Sequence, residues 1–366
     1  MSWLSGWRRR IKLTIDHDDI DAALSWFPVL VYLSTSSGIG GVDVSCVFDE
    51  LESDDNRKKI AVTKADGVTQ LYVEIERWDD ANEVAWLWVS RNGWAIADDA
   101  DTVIYLYYDS SKPDNGSYVG DTNSTPAENV WDTSYELVAH ARDDPDTSHV
   151  KDSTSNNNDG AKTDADEPVE AAGQIDKAQA FDGTDDEIDF GYPVALGELT
   201  IEWWMKSDQG FGAYSTILEF VSAAAYIGFH IKSAVGEWYL RLGVDNVRRF
   251  IGGLADITGW HYYVLYLAGS GQNDIDNSAH WQDNSQLTNS DTVKTGGITA
   301  WDEFVVGGGE TYGFTDCVID EVRVSSGART AAWRKASYES GRDDLLAFGS
   351  EEKGGIGPFP THFVIR

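Results

Sequence analysis

Apolar and polar residues alternate with a period of two along most of this chain. RRIKLTID (9–16), FPVLVYLS (27–34), QLYVEIERW (70–78), AWLWVS (85–90) and TVIYLYYD (102–109) each read as strands. Asp66-Gly67 sits between two such runs and signals a hairpin. This pattern places a first domain over residues 1–110. Residues 111–129, rich in Ser, Pro, Asn and Gly, read as a linker. A second run of strands follows: AQAFD, EIDFG, LTIEWWMKS, STILEFV, YIGFHIKS, EWYLRLGV, WHYYVLYLAG, HWQDN, EFVVGGG and CVIDEVRVS. Many short strands punctuated by turns predict a β-sandwich or jelly roll over residues 130–348. ARTAAWRKASYESG carries the one helical pattern, near 328–340, stopped by Gly341. Residues 349–366 read as a flexible tail. The fold class predicted is therefore all-β, a small N-terminal β-sandwich followed by a jelly roll with one short C-terminal helix.

Within AFDGTDDEIDFG (180–191), Asp182-Gly183 fits a tight turn. Ile188 and Phe190 point inward, and Glu187 and Asp189 outward. Five carboxylates in twelve residues are turn and surface chemistry on this reading, not a reaction site.

Charge changes the picture. With 62 acidic and 28 basic residues among 366, the net charge is −34. Self-repulsion on that scale destabilises a compact state at low salt, where the Debye length is about 30 Å, and fades at molar salt, where it is about 3 Å. A chain adapted to high salt is the expectation. Nucleic-acid binding is not expected, because Arg8, Arg9 and Arg10 form the lone basic cluster. No apolar run is long enough to predict membrane insertion. Three arginines near the start are not followed by an apolar stretch, so no secretory signal is read there. The two cysteines, Cys46 and Cys317, fall in different domains and are expected as free thiols.

The first block (GWRRRIKLTID, FPVLVYL, VTKADGVTQLYVEIERWD, AWLWVS, TVIYLYY) resembles a domain of unknown function found in archaeal, bacterial and viral surface proteins. Glu74, Ile75, Glu76 and Trp78 match its E-I-E-x-W strand. The second block resembles the laminin-G-like, concanavalin-type jelly roll that follows that domain, through VKDSTSNNNDG, AFDGTDDEIDFG, LTIEWWMKS, GWHYYVLYLAG and VIDEVRVS in order. ARTAAWRKASY resembles its closing helix. One departure stands out: AHWQDNSQ replaces the family's Y-x-D-G hairpin.

Catalytic signals are weak. The E-x-D-x-x-E spacing of jelly-roll glucanases is missing, although Glu187 and Asp189 supply two acids. There is no G-x-S-x-G elbow, and the seven histidines show no metal-binding spacing. His261, beside Trp260, reads as a packed strand residue. Binding is the live alternative. Alternation puts Ile201, Trp203 and Met205 on one face of a strand and Glu202, Trp204 and Lys206 on the other. It likewise separates Trp238, Leu240 and Leu242 from Tyr239 and Arg241. Glu202, Trp204, Lys206, Tyr239 and Arg241 are the candidate sugar-binding residues, provided their faces are open rather than packed under loops. Resemblance to the jelly-roll family implies one structural Ca2+ at Asp320, with Asp152 or its loop as partner. It also implies a non-catalytic structural and adhesion protein of the virion surface, such as a tail fibre, capsid spike or turret. Its partners would be other virion proteins, a second copy of itself and a host surface glycan or glycoprotein. A secreted cell-surface adhesin and a carbohydrate-active enzyme are the alternatives.

Overall fold

The computed structural model describes residues 2–162, 167–191, 197–207, 215–222, 225–231, 237–242, 246–252, 257–269, 277–292, 302–308 and 313–354. It divides the chain into two compact units, Met1–Val130 with Arg342–Arg366, and Trp131–Gly341. Among the described residues no helix is long and apolar enough to cross a membrane.

The first unit lays down β1 (Arg9–Ile15), β2 (Leu24–Ser25), β3 (Val29–Leu33), β4 (Ile60–Lys64), β5 (Gln70–Asp79), β6 (Val84–Ser90), β7 (Ala95–Ile96), β8 (Thr102–Tyr108) and β9 (Val119–Asp121). The Asp66-Gly67 hairpin forms as its sequence predicts. Gly67 takes φ +75, and Asp66 Oδ1 accepts from the Val68 and Thr69 amides at 2.8 Å. Strands β1, β8, β4, β5, β6 and β3 hydrogen-bond in that order. The β4–β5 joint is two residue pairs wide, Val62 with Leu71 and Thr63 with Gln70. Two short helices, α1 (Cys46–Leu51) and α2 (Thr125–Glu128), escape the strand pattern. Residues 111–129 are not a linker. They supply α2 and β9, which runs parallel to β5 and pairs Val73 with Val119. Tyr118 stacks on Tyr72 at 5.5 Å, so this segment completes the sheet.

In the second unit come β10 (Tyr135–Ala139), β11 (His149–Val150), β12 (Gly160–Lys162), β13 (Val169–Ala172), β14 (Lys177–Asp182) and β15 (Ile188–Asp189). Then follow β16 (Leu199–Lys206), β17 (Ser215–Ser222), β18 (Ala225–Ile231), β19 (Glu237–Leu242), β20 (Asn246–Ile251) and β21 (His261–Leu267). The last are β22 (Ala279–Gln282), β23 (Ser285–Gln286), β24 (Thr288–Thr292), β25 (Glu303–Val306) and β26 (Asp316–Ser326). They form a two-sheet, jelly-roll sandwich. One sheet has eight strands, in the order β13-β14-β26-β16-β21-β22-β23 with β10 also on β26. The other has nine, in the order β11-β12-β15-β25-β17-β18-β19-β20-β24. The core between them takes Ile201, Trp203, Met205, Tyr263 and Leu265 from the first sheet. Phe220, Phe229, Trp238, Leu240 and Phe250 come from the second. His280 lies among these rings, stacked on Tyr263 at 5.9 Å and on Trp203 at 6.0 Å.

Helix α3 (Ala331–Gly341) buries Trp333, Ala336, Ser337 and Ser340, which share one helical face. It starts three residues later than its pattern suggests because Thr330 caps it, its hydroxyl accepting from the Trp333 amide at 3.1 Å. The chain then returns to the first unit as β27 (Ala347–Lys353), antiparallel to β1. The expected tail is thus an edge strand as far as Lys353. Arg9 meets Glu351 at 2.6 Å, and Arg10 meets Glu352 at 2.7 Å. The rest of the tail, 355–366, lies outside the described residues.

Candidate functional site

Alternation sorts the faces of β16 as its sequence suggests, but its outward face is not open. Glu202 and Trp204 are 1% and 3% exposed. Helix α3 covers them. The Trp204 ring stacks on Tyr338 of that helix at 5.8 Å and tilts against Tyr262 at 5.3 Å. At Gly341 a Cβ would stand 2.8 Å from the same indole, so the helix end is pressed onto it. The Tyr262 hydroxyl donates to the Glu202 carboxylate. Trp204 thus packs against the closing helix, Glu202 is held by Tyr262, and neither is open to a ligand. Lys206 ends the strand, half-buried, with its Nζ 5.0 Å from the Trp260 ring.

Asp152 and Asp320, the residues expected to hold calcium, are each engaged by backbone amides. Both are buried, and neither belongs to a group of three or more ligating side chains among the described residues. Asp152 Oδ1 accepts from the Val138 and Thr154 amides, at 3.0 and 2.9 Å. Its Oδ2 accepts from the Thr154 hydroxyl at 2.8 Å and the Asn158 amide at 2.9 Å. Those four donors fill its acceptor sites and make it a loop staple. Burial still pushes its carboxyl up to about 6. Asp320 Oδ2 accepts from the Ile175 amide at 2.9 Å. In the 180–191 motif, the Asp182 amide donates to Asp186 Oδ2 at 2.7 Å and Asp182 Oδ1 accepts from Thr184 at 2.7 Å, a turn around Gly183.

The other predicted pair, Tyr239 and Arg241, lies on the outer face of the nine-stranded sheet, in company the sequence reading did not name. Register fixes two rows there. Asp189, Val305, Glu219, Gly228 and Arg241 lie opposite one another on successive strands. Thr216, His230, Tyr239 and Arg249 form the second row. Glu219 is 1% exposed and His230 0%, Tyr239 is 8%, and Glu237, Arg241 and Arg249 are half-buried. The face thus has a buried polar floor and a partly open rim.

Gly228 explains how the floor is assembled. A Cβ there would stand 2.2 Å from His230 Nε2 and 2.4 Å from Cε1, so the imidazole lies over the glycine. The ring fills the gap in the first row between Glu219 and Arg241. Its other nitrogen, Nδ1, is 3.1 Å from the Thr216 hydroxyl. Burial, aided by the Arg241 charge, pushes His230 down to about 3, so it is neutral at pH 7. On the rim, Glu237 accepts from the Tyr239 hydroxyl at 3.1 Å and from Arg249 at 2.9 Å. The Arg241 guanidinium lies 5.6 Å from the Tyr239 ring centre. A carboxylate, a neutral imidazole, a guanidinium and a phenol thus share one face. The signal for the missed pair was present: Glu219 and His230 each sit between core apolar residues at outward parity, and a glycine inside a strand marks close approach.

Both cysteines are free thiols. Burial pushes Cys317 up to about 12, so it is not a nucleophile at neutral pH.

No family model matches the chain, and no curated protein matches it. Among solved structures it is similar to domain 4 of an extracellular arabinanase from Geobacillus stearothermophilus, in complex with arabinotriose. The identity is 18%, over 55% of this chain and 96% of that one, with a TM-score of 0.43. The binding domain of Paraclostridial mosquitocidal protein 1 is 10% identical over 57% of this chain and 52% of that one, TM-score 0.43. The binding domain of botulinum neurotoxin DC, in complex with rat synaptotagmin II, is 11% identical over 57% and 52%, TM-score 0.43. The chain spans about half the length of these two toxin domains. Likenesses of this size carry nothing about ligand or chemistry.

Proposed function

We propose that the second unit binds a carbohydrate on the outer face of its nine-stranded sheet, through the rim residues Glu237, Tyr239 and Arg241 held in place by the buried Glu219 and His230, as a non-catalytic adhesion module. The observation that carries this reading is the His230 ring laid over Gly228 between Glu219 and Arg241. Sugar hydroxyls donate and accept at once. On the rim a carboxylate (Glu237) only accepts, a guanidinium (Arg241) only donates, and a phenol (Tyr239) does both. That mixture matches a hydroxyl-rich ligand, and the Tyr239 ring adds an apolar face for its C–H surface. Glycan-array screening of the full chain, followed by calorimetry on Arg241→Gln and Glu237→Gln, tests it. Either variant should lose at least about tenfold in affinity, roughly 1.4 kcal/mol, at unchanged melting temperature. Unaltered affinity in both overturns the reading.

The setting proposed is the surface of a virus particle, with a host glycan or glycoprotein as partner. The sequence resemblance of both blocks and the net charge of −34 support it. Mass spectrometry of particles from the source that lacked this chain would remove that setting. Release of reducing ends from a glycan panel would replace adhesion by hydrolysis.

A further inference from the structure

A second recess lies at the corner where the nine-stranded and eight-stranded sheets of the second unit meet. Its wall is the β22–β23 hairpin, built by AHWQDNSQ. Asp283 and Asn284 take φ +48 and +61, the paired left-handed residues of a tight two-residue turn. Tyr262 pins the turn from both sides. Its carbonyl accepts from the Asp283 amide at 2.8 Å, and its amide donates to Asp283 Oδ1 at 3.0 Å. His261 Nδ1 lies 2.7 Å from the other carboxylate oxygen. The lone charged group in the lining is thereby already engaged, and the other lining residues carry no charge.

The recess encloses about 280 Å3. Ile251, 36% exposed, and Leu287 give it apolar surface, while Ser285, Gln286 and Thr288 give it hydroxyls and an amide. Hydroxyls and amides both donate and accept, which suits an uncharged polyol better than an ion. The recess is also continuous with the face already described. Tyr239 pairs with Arg249, and the next outward pair on the same two strands is Glu237 with Ile251. That step is about 7 Å along the sheet. Ile251 in turn pairs with Thr288, across the mouth of the recess.

We infer that the recess is a further subsite, taking a neutral sugar residue of the same oligosaccharide whose other residues lie over Tyr239 and Arg241; this rests on the carbohydrate reading of that face. The ligand is then a chain of several sugars, gripped by a charged rim at one end and by a recess of hydroxyls, an amide and apolar side chains at the other. Calorimetry of the full chain with xylo-, manno- and gluco-oligosaccharides of one to six residues tests it. Ser285→Ala and Gln286→Ala alter exposed side chains, so melting should not change. Both variants should weaken binding of the longer members of the bound series about tenfold and leave the shortest bound members unaffected. Arg241→Gln should weaken every length. If the recess variants bind the hexamer as the parent does while Arg241→Gln is impaired, the subsite is wrong and the carbohydrate reading stands. If Arg241→Gln also binds as the parent does, or no oligosaccharide binds, both fall.

Discussion

The imidazole of His230 occupies the space that any side chain at residue 228 would need, with Nε2 2.2 Å from the position of a Cβ on Gly228. Gly228→Ala should therefore expel the ring from the row between Glu219 and Arg241. Overpacking of this kind costs about 1–3 kcal/mol. We expect a lower melting temperature together with loss of sugar affinity. A variant that melts and binds like the parent would show that the ring does not lie there.

Two buried histidines set the acid limb of stability. Burial holds His230 and His280 at about 3 in the folded state. Their unfolded value is about 6.5. Unfolded chains thus take up protons that the folded state refuses. The stability this provides is whole above pH 6.5 and is lost as pH falls toward 3. Asp152 works in the opposite sense. With its carboxyl raised to about 6, its contribution is whole below about pH 4 and is lost as pH rises through 6. Asp343, with its carboxyl raised to about 7, adds to that opposing contribution, so the histidine signature is a difference: between pH 4 and 6.5 denaturant titrations should show stability rising less with pH in His280→Gln than in the parent. An equal slope in the variant would count against a neutral core imidazole.

Trp204 is a structural residue, and its truncation should read that way. Its indole is clamped between Tyr262, Tyr338 and Gly341. Trp204→Ala is expected to cost about 3–5 kcal/mol, seen as a lower denaturation midpoint. Sugar affinity, measured where the variant is still folded, should equal the parent's. A specific loss of affinity at full stability would return β16 to the binding surface.

The last described strand can be tested by removal. A chain ending at residue 346 loses every partner on that side of β1, including the ion pairs of Arg9 with Glu351 and Arg10 with Glu352. An unpaired edge is a template for association. Size-exclusion chromatography should find aggregates or misfolded protein. A monomer that melts like the full chain would mean β27 adds nothing.

Salt should stabilise the whole molecule. With a net charge of −34, the melting temperature is expected to rise between 0.1 M and molar salt, as screening shortens to about 3 Å. A flat or falling curve would separate the acidic composition from any high-salt habit.

Strand parity was legible in the sequence, but what covers each face was not. Both β16 and β19 sort their side chains as alternation dictates, with Trp203 and Trp238 in the core. Whether the opposite face is open depends on α3, whose Tyr338 reaches Trp204 from 134 positions further along the chain. Local periodicity holds no record of such a contact. GSEEK (349–353) looks like a tail for the same reason, since its glutamates find their arginines only in a register with residues 9–11. The amide partners of Asp152 were not legible, because loop aspartates look alike in sequence whether they accept from amides or from a cation. Glu219 and His230 were readable, as outward polar positions beside a strand glycine, yet they were passed over for the tryptophans.

The return of the chain to β1 has a bearing on how the protein is made. The second unit is spliced into the first, and its own entrance and exit are stapled together. Arg329 pairs with Asp132 at 2.7 Å and lies between the rings of Tyr135 and Trp333. On the ribosome, all of 131–341 must emerge before β27 can reach its place. For that whole interval the outer margin of β1 waits unmated, and newborn chains standing side by side have time to zip onto one another there.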